Sequence, residues 1–258
     1  VNDTHSCIIR HFNHYANLAE DDKQLLCDLE RSPVDTRAGQ LLWQESEPAE
    51  EFCTLRSGWA FSFRHLEDGS RQILELYLPG DIIGLREFAF SQRLAGVMMI
   101  DDGVICRFPH QHLLDLFQRS ATLTTILFAV SSCHQALLTE RLVNLARRSA
   151  FQKICHLLFE TYTRLERTGE GGDGRFRLPL SQEQLADALG LSAVHVSRTF
   201  TLLNERGLVF RNRHWVEIPD LQALSEACDF NGCYLNDNLR KLGAASLAKI
   251  PAPSSSAG

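Results

Sequence analysis

The stretch SQEQLADALGLSAVHVSRTFTLLNERGLV, residues 181–209, decides the reading of this chain. Ser181 followed three residues later by Gln184 has the form of a capping box, in which a hydroxyl and an amide satisfy free backbone N–H groups at a helix start. A helix therefore begins there, with Leu185 and Leu189 on its apolar side. Gly190 permits the sharp exit turn. Ser192 caps a second helix through Asn204. Small Ala186 lets the two helices cross closely. Val196, Phe200 and Leu203 point back to a core, and His195, Ser197 and Arg198 are left for other faces. Two short capped helices joined by a glycine turn make a helix-turn-helix.

The next segment, GLVFRNRHWVEI at residues 207–218, reads as two short strands joined by a basic turn, a wing. This arrangement is predicted to put the second helix in a DNA major groove with Arg211 and Arg213 over phosphates. Ser181 and Ser192 at the helix starts, and Val194, His195, Ser197 and Arg198 on the second helix, complete the candidate DNA-binding set. Between Arg175 and Trp215 six arginines face three acidic residues, although the whole chain carries a formal net charge of −6. Cation is concentrated where the phosphate backbone would lie. A helical hairpin with a purely structural role is the bland alternative. The caps, turn, wing and local charge together favour DNA.

Upstream, residues 8–30 have helical spacing, and Pro33 and Gly39 mark a change. From about 36 to 108 short alternating runs are separated by turn signals such as Asp68-Gly69 and Pro79-Gly80-Asp81, the pattern of an antiparallel roll or barrel. From about Gln111 to Asn144 the period becomes helical. Leu123, Leu127, Val130, His134, Leu137, Arg141 and Leu145 fall on one narrow stripe suited to pairing with a second copy, or to packing against the chain's own roll. An amphipathic helix over 150–165 and a loop, RTGEGGDG (167–174), lead to the helix-turn-helix. The segment after about Asn236, ending in PAPSSSAG, is predicted to be disordered. The fold class expected is α+β: a sensor roll with its N-terminal helix (1–114), a dimerisation helix (115–148), a winged helix-turn-helix (149–235) and a tail (236–258).

With 44% hydrophobic and 22% charged residues the composition is that of a globular protein. No apolar run is read as approaching the roughly 18 residues that cross a bilayer, so no membrane contact is expected. The first residues, VNDTHSCIIRHFNH, lack the apolar core of a signal peptide, which predicts a reducing cytoplasm. Eight cysteines are spread without a paired C-x-x-C and read as buried thiols rather than disulfides. No nucleophile, base and acid constellation or phosphate loop is present, so an enzyme is not expected.

These features together resemble the Crp/Fnr superfamily of bacterial transcription regulators over residues 10–235. The roll segment LRSGWAFSFRHLEDGSRQILELYLPGDIIG is similar to the cyclic-nucleotide-binding fold, and the order of long helix and winged helix-turn-helix matches. The resemblance implies a homodimer that binds a palindromic duplex and recruits or blocks RNA polymerase. It also marks an effector pocket at Gly84, Leu85, Arg86, Arg93 and Leu138. Cyclic-AMP binders follow the PGD-x-x-G turn with an acid for the ribose and later an Arg-Ser pair for the phosphate. Here Leu85 replaces the acid, Arg93 matches the arginine, Leu94 replaces its hydroxyl partner, and Leu138 stands where the long helix would bond the adenine. A cyclic phosphate buried with half its partners missing would cost several kcal/mol, so an effector other than cyclic AMP, or none, is expected.

An iron–sulfur cluster needs closely spaced thiolates, and only Cys7 precedes Cys27. His5, Cys7, His11 and His14 include ligands of metal-binding type, and His134 in the stripe is a haem ligand by type. Against that stand the apolar helical spacing of the N-terminal segment and the use of polar seam residues to fix register. No cofactor or metal is assigned. Family members that share a core operator carry E-x-x-S-R on the second helix. Residues 194–198 read VHVSR, so Ser197 and Arg198 match and Val194 replaces the acid. The competing function is a small-molecule, haem or redox sensor that uses the helix-turn-helix for protein contacts.

Overall fold

The computed structural model describes residues 6–235; His5 and the tail 236–258 lie outside the described residues. The architecture is α+β in the order the sequence predicts. The helical stretch over 8–30 is two helices, α1 (Cys7–Tyr15) and α2 (Glu20–Leu29). The chain breaks between them because side chains take over the backbone donors. Asn13 Oδ1 accepts from the Leu18 N–H at 3.4 Å, and Asp22 accepts from the Ala19 N–H at 3.3 Å. Ile8, Phe12, Leu26 and Leu29 are buried against the roll.

Eight strands form the roll: β1 (Pro33–Thr36), β2 (Leu41–Trp43), β3 (Glu51–Ser57), β4 (Ala60–His65), β5 (Arg71–Tyr77), β6 (Ile82–Ile83), β7 (Gly96–Met99) and β8 (Gly103–Pro109). They make two antiparallel four-stranded sheets, ordered β1-β8-β3-β6 and β2-β7-β4-β5. Asp68-Gly69 turns the β4–β5 hairpin, with Gly69 at φ +81° and the Asp68 carboxylate accepting from the Ser70 N–H and hydroxyl. Along β4, Ala60 joins the interior of the roll, while Phe61 and Phe63 join the core of the C-terminal part. This sheet is therefore covered on both faces.

The predicted single helix over 115–148 is two helices, α3 (His110–Arg119) and α4 (Ala121–Arg147). Ser120 causes the break. Its hydroxyl accepts from the Leu123 N–H at 3.0 Å and donates to Asp22 at 2.6 Å, which caps α4 and ties it to α2. Contrary to the expectation that no apolar run approaches bilayer length, α4 is long and apolar enough to cross a membrane by length and composition.

The apolar stripe expected to pair with a partner faces the chain's own roll. Leu123, Leu127, Val130 and Leu137 are buried within the protomer, and His134 Nδ1 lies 3.3 Å from Glu75 of β5. Arg141 donates to the Leu74 carbonyl at 2.6 Å and to Glu160 at 3.1 Å. The outward face of α4 is the parallel series Ala121, Thr125, Phe128, Ser132, Gln135, Thr139, Leu142 and Ala146, alternating steps of four and three. Phe128 is 76% and Leu142 68% exposed, unusual values for large apolar side chains.

Candidate nucleic-acid interface

Helix α5 (Ala150–Thr168) starts at a capping box of Ser149 and Gln152 and ends at Gly169 in the left-handed region. The loop expected at 167–174 is instead the start of a hairpin, β9 (Gly171–Gly172) and β10 (Arg175–Arg177). Gly174 is required at its turn, because it takes φ +72° and a Cβ there would collide with the Ile218 carbonyl oxygen. With β11 (Phe210–Asn212) and β12 (Trp215–Glu217) the sheet order is β11-β12-β10-β9.

Helix α7 (Ala193–Glu205) packs on this sheet at β11, and α6 (Gln182–Leu189) packs against α7 and against β5 of the roll. The predicted cap forms: Ser181 Oγ accepts from the Gln184 N–H at 3.1 Å, and Gln184 Oε1 accepts from the Ser181 N–H at 2.8 Å. Gly190 takes φ +58°, and the Leu191 N–H returns to the Ala186 carbonyl. Ser192 Oγ accepts from the His195 N–H at 3.3 Å and lies 3.2 Å from His195 Nδ1, so His195 supports its own helix start. Leu185, Leu189, Val196 and Leu203 are buried, and Thr199 joins them, bonded to the His195 carbonyl. Phe200 is half-buried against the same core.

What packing leaves out is the face of α7 that carries the readout candidates. Val194 is 58% exposed, and His195, Ser197 and Arg198 are exposed beside it. Arg198 has no ion-pair partner among the described residues, so its whole guanidinium fork is free for a ligand. Between α7 and the wing lies a cleft of about 770 Å³, lined among others by Gln182, Ser197, Thr201, Asn204, Arg213 and Trp215. The sequence reading missed Thr201 and Asn204, although they follow Ser197 at four and seven residues and so share its helical face. It also missed Trp215, which is 55% exposed, whereas Trp43 and Trp59 are each 4% exposed.

The two wing arginines divide. Arg213 occupies the hairpin turn at φ +52° and is exposed. Arg211, expected over a phosphate, is turned inward. Its Nη2 donates to the Leu180 carbonyl at 2.5 Å, its guanidinium lies 4.8 Å from the Phe200 ring, and burial lowers its pKa. The reason is strand alternation: Arg211 pairs across the hairpin with buried Val216. Arg213→Ala is expected to weaken DNA binding and reduce the salt slope by about one unit. Arg211→Ala is expected to leave the slope unchanged and lower unfolding stability by about 1–2 kcal/mol. Binding isotherms over a salt series, with urea melts of both variants, check this division.

The effector residues are only partly brought together. Gly84, at φ +100°, opens a 3-10 turn over Leu85–Glu87, and a Cβ at that position would meet Arg93 Nη1 at 3.1 Å. Arg93 is 3% exposed, lies 3.9 Å over the Trp43 ring and donates to the Glu51 carbonyl at 2.5 Å. Leu85 packs against the apolar cluster that the N-terminal helices share with the roll, α3 and α4, and Leu138 is half-buried on α4. Arg86 donates to buried Glu87 at 3.3 Å. Glu75, also buried, accepts from the Tyr77 hydroxyl at 3.0 Å, and burial raises the Tyr77 pKa. Of the metal-type residues, His11 Nδ1 donates to the Gly80 carbonyl at 3.0 Å and is half-buried beside Asp81, and Cys7 is buried in α1. No group of three or more metal-ligating side chains occurs among the described residues. All eight cysteines are free thiols.

Two domain families match the chain: a cyclic nucleotide-binding domain over residues 33–120 and a Crp-like helix-turn-helix domain over residues 152–227. The chain is similar to the transcriptional activatory protein AadR of Rhodopseudomonas palustris, 29% identical over 223 residues, 84% of this chain and 87% of that protein. It is 30% identical over 183 residues to the nitrogen fixation regulation protein FixK of Bradyrhizobium diazoefficiens, covering 68% of this chain and 73% of the relative. In fold it resembles the solved structure of FixK2 from Bradyrhizobium japonicum, with TM-score 0.68 and 24% identity over 76% of this chain and 96% of that one.

Proposed function

This chain belongs to the Crp/Fnr family of transcription regulators, and we propose that it acts in the cytoplasm as a homodimer that reads a palindromic duplex and contacts RNA polymerase there. The observation that carries the DNA reading is the face of α7. Val194, Ser197 and Arg198 stand exposed together, Arg198 is unpaired among the described residues, and the wing cleft opens alongside. Such a face matches a major groove, where a guanidinium fork reads guanine and a branched apolar side chain packs on a thymine methyl. The 4-3 series on the outside of α4 supports the dimer. Its apolar members Phe128 and Leu142 fit a partner, and its Ser132, Gln135 and Thr139 fix register. Arg213 and the α6 N-terminus at Ser181 suit phosphate contacts.

Trp215 gives a direct test, since the other two tryptophans are buried. Duplex binding is expected to quench its fluorescence, with an affinity that falls steeply as salt rises. A change in fluorescence only with a protein partner, or a duplex affinity insensitive to salt, would support the protein-contact reading instead.

The effector is other than cyclic AMP, or absent. Arg86 already stands among two buried acidic side chains, Glu75 and Glu87, and of the Arg93 guanidinium, stacked on Trp43, only Nη2 is held, by the Glu51 carbonyl. A cyclic phosphate entering there would meet negative charge and lack the hydroxyl and acid replaced by Leu94 and Leu85. Calorimetry with cyclic AMP is expected to show no binding at micromolar concentrations. Micromolar affinity that disappears in Arg93→Ala would contradict this.

A further inference from the structure

Strand β5 is the edge of its sheet, and an edge strand must find partners for its outward carbonyls. Here helices supply them. Arg141 of α4 bonds the Leu74 carbonyl at 2.6 Å, and Arg164 of α5 bonds the Leu76 carbonyl at 3.2 Å. Both arginines are held in turn by acidic side chains, Arg141 by Glu160 and Arg164 by Asp81. The third attachment is different, because it reaches the helix-turn-helix itself. Arg71 donates through Nε and Nη2 to Asp187 of α6 at 2.9 and 2.7 Å, and Gln72 donates to the Asp187 carbonyl at 2.7 Å. The Arg71 guanidinium also lies 5.1 Å from the Phe61 ring and 5.9 Å from that of Phe63.

We propose that Arg71 and Gln72 clasp Asp187 and hold the helix-turn-helix against the β4–β5 hairpin in the pose that binds DNA. The clasp engages α6 near its C-terminal end, while Ser181, Gln182 and Glu183 at its other end and the readout face of α7 stay exposed. Docking therefore leaves the DNA face open. The pair is partly exposed, with 25% and 27% side-chain accessibility, so it suits a contact that opens and closes rather than a core bridge. The hairpin belongs to the sensor roll, so a change in the roll reaches the recognition helix through these residues. This proposal rests on the DNA-binding reading above. A dimer gains on a palindrome only if its second recognition helix is held at the right place when the first has bound, and a loosened domain lowers that effective concentration. A single half-site does not use this gain.

The test compares Asp187→Ala, the swapped pair Arg71→Asp with Asp187→Arg, and wild type on a selected palindrome and on a duplex with one half-site. Asp187→Ala is expected to lose about tenfold in affinity on the palindrome and nothing on the half-site, and the swapped pair to recover most of the loss. Equal losses on both duplexes would make Asp187 a direct DNA contact. Unchanged or increased palindrome affinity would likewise overturn the clasp as a positioning device. Hydrogen exchange without DNA separates this proposal from the DNA reading. Exchange at α6 and β5 is expected to quicken in Asp187→Ala and slow again in the swapped pair. Unchanged exchange refutes the clasp even if wild type binds DNA, whereas failure of wild type to bind any duplex refutes the DNA reading alone.

Discussion

Arg198→Ala is expected to lower affinity for the selected palindrome by roughly 30-fold to 10⁴-fold and to erase base preference at one position in each half-site. The size follows from geometry. A bidentate arginine–guanine contact discriminates by about 1–3 kcal/mol, and a dimer makes it twice. Arg198 is free to make it, since it is exposed on α7 and has no ion pair among the described residues. Its neighbour Val194, 58% exposed where E-x-x-S-R members carry an acid, cannot accept a hydrogen bond from cytosine or adenine. The preferred half-site is accordingly expected to differ from theirs, with a thymine methyl against Val194. Selection from random duplexes with the variant measures both effects. A motif and affinity unchanged from wild type would remove Arg198 from the readout.

Phe128→Glu is expected to convert the dimer to monomers and to cost roughly 10² to 10⁴ in palindrome affinity, the avidity that a second binding module supplies. The substitution puts two carboxylates into the seam, where the symmetry of a homodimer brings like charges together. It touches little inside the protomer, because Phe128 is 76% exposed there. Leu137→Glu is the contrasting change. Leu137 is 7% exposed and packed within its own chain, so an unpaired carboxyl at that position is expected to destabilise folding by about 3 kcal/mol or more. Sedimentation distinguishes the two when combined with urea melts: a monomer of normal stability for Phe128→Glu, a less stable protein for Leu137→Glu. An unchanged dimer in Phe128→Glu would place the seam elsewhere.

The helix-turn-helix was legible because its signals are local. Ser181 with Gln184, Gly190 and Ser192 each satisfy backbone groups within a few residues, and the structure makes those hydrogen bonds. The β4–β5 hairpin was legible for the same reason, through Asp68-Gly69. The seam was not. On α4 two stripes with steps of three and four run two residues apart, and the more apolar one, from Leu123 to Leu137, is the face the roll covers. Periodicity shows that both stripes exist, but which one meets a partner depends on tertiary packing. Arg211 was misread although alternation with Val209 and the pairing with Val216 held the signal. Strand β9 gave none, since Gly171 and Gly172 have no side chains to alternate. Arg71 and Asp187 are 116 residues apart, and nothing local foretells their pairing.

The central claim is that two copies of α7, related by the seam on α4, read two inverted half-sites. Selection of bound sequences from random duplexes by the wild-type protein tests it most directly. The expected product is an inverted repeat whose half-sites are centred about one helical turn, roughly 34 Å, apart, each with a guanine that depends on Arg198. Enrichment of a motif without inverted symmetry, or of no motif at all, would contradict it.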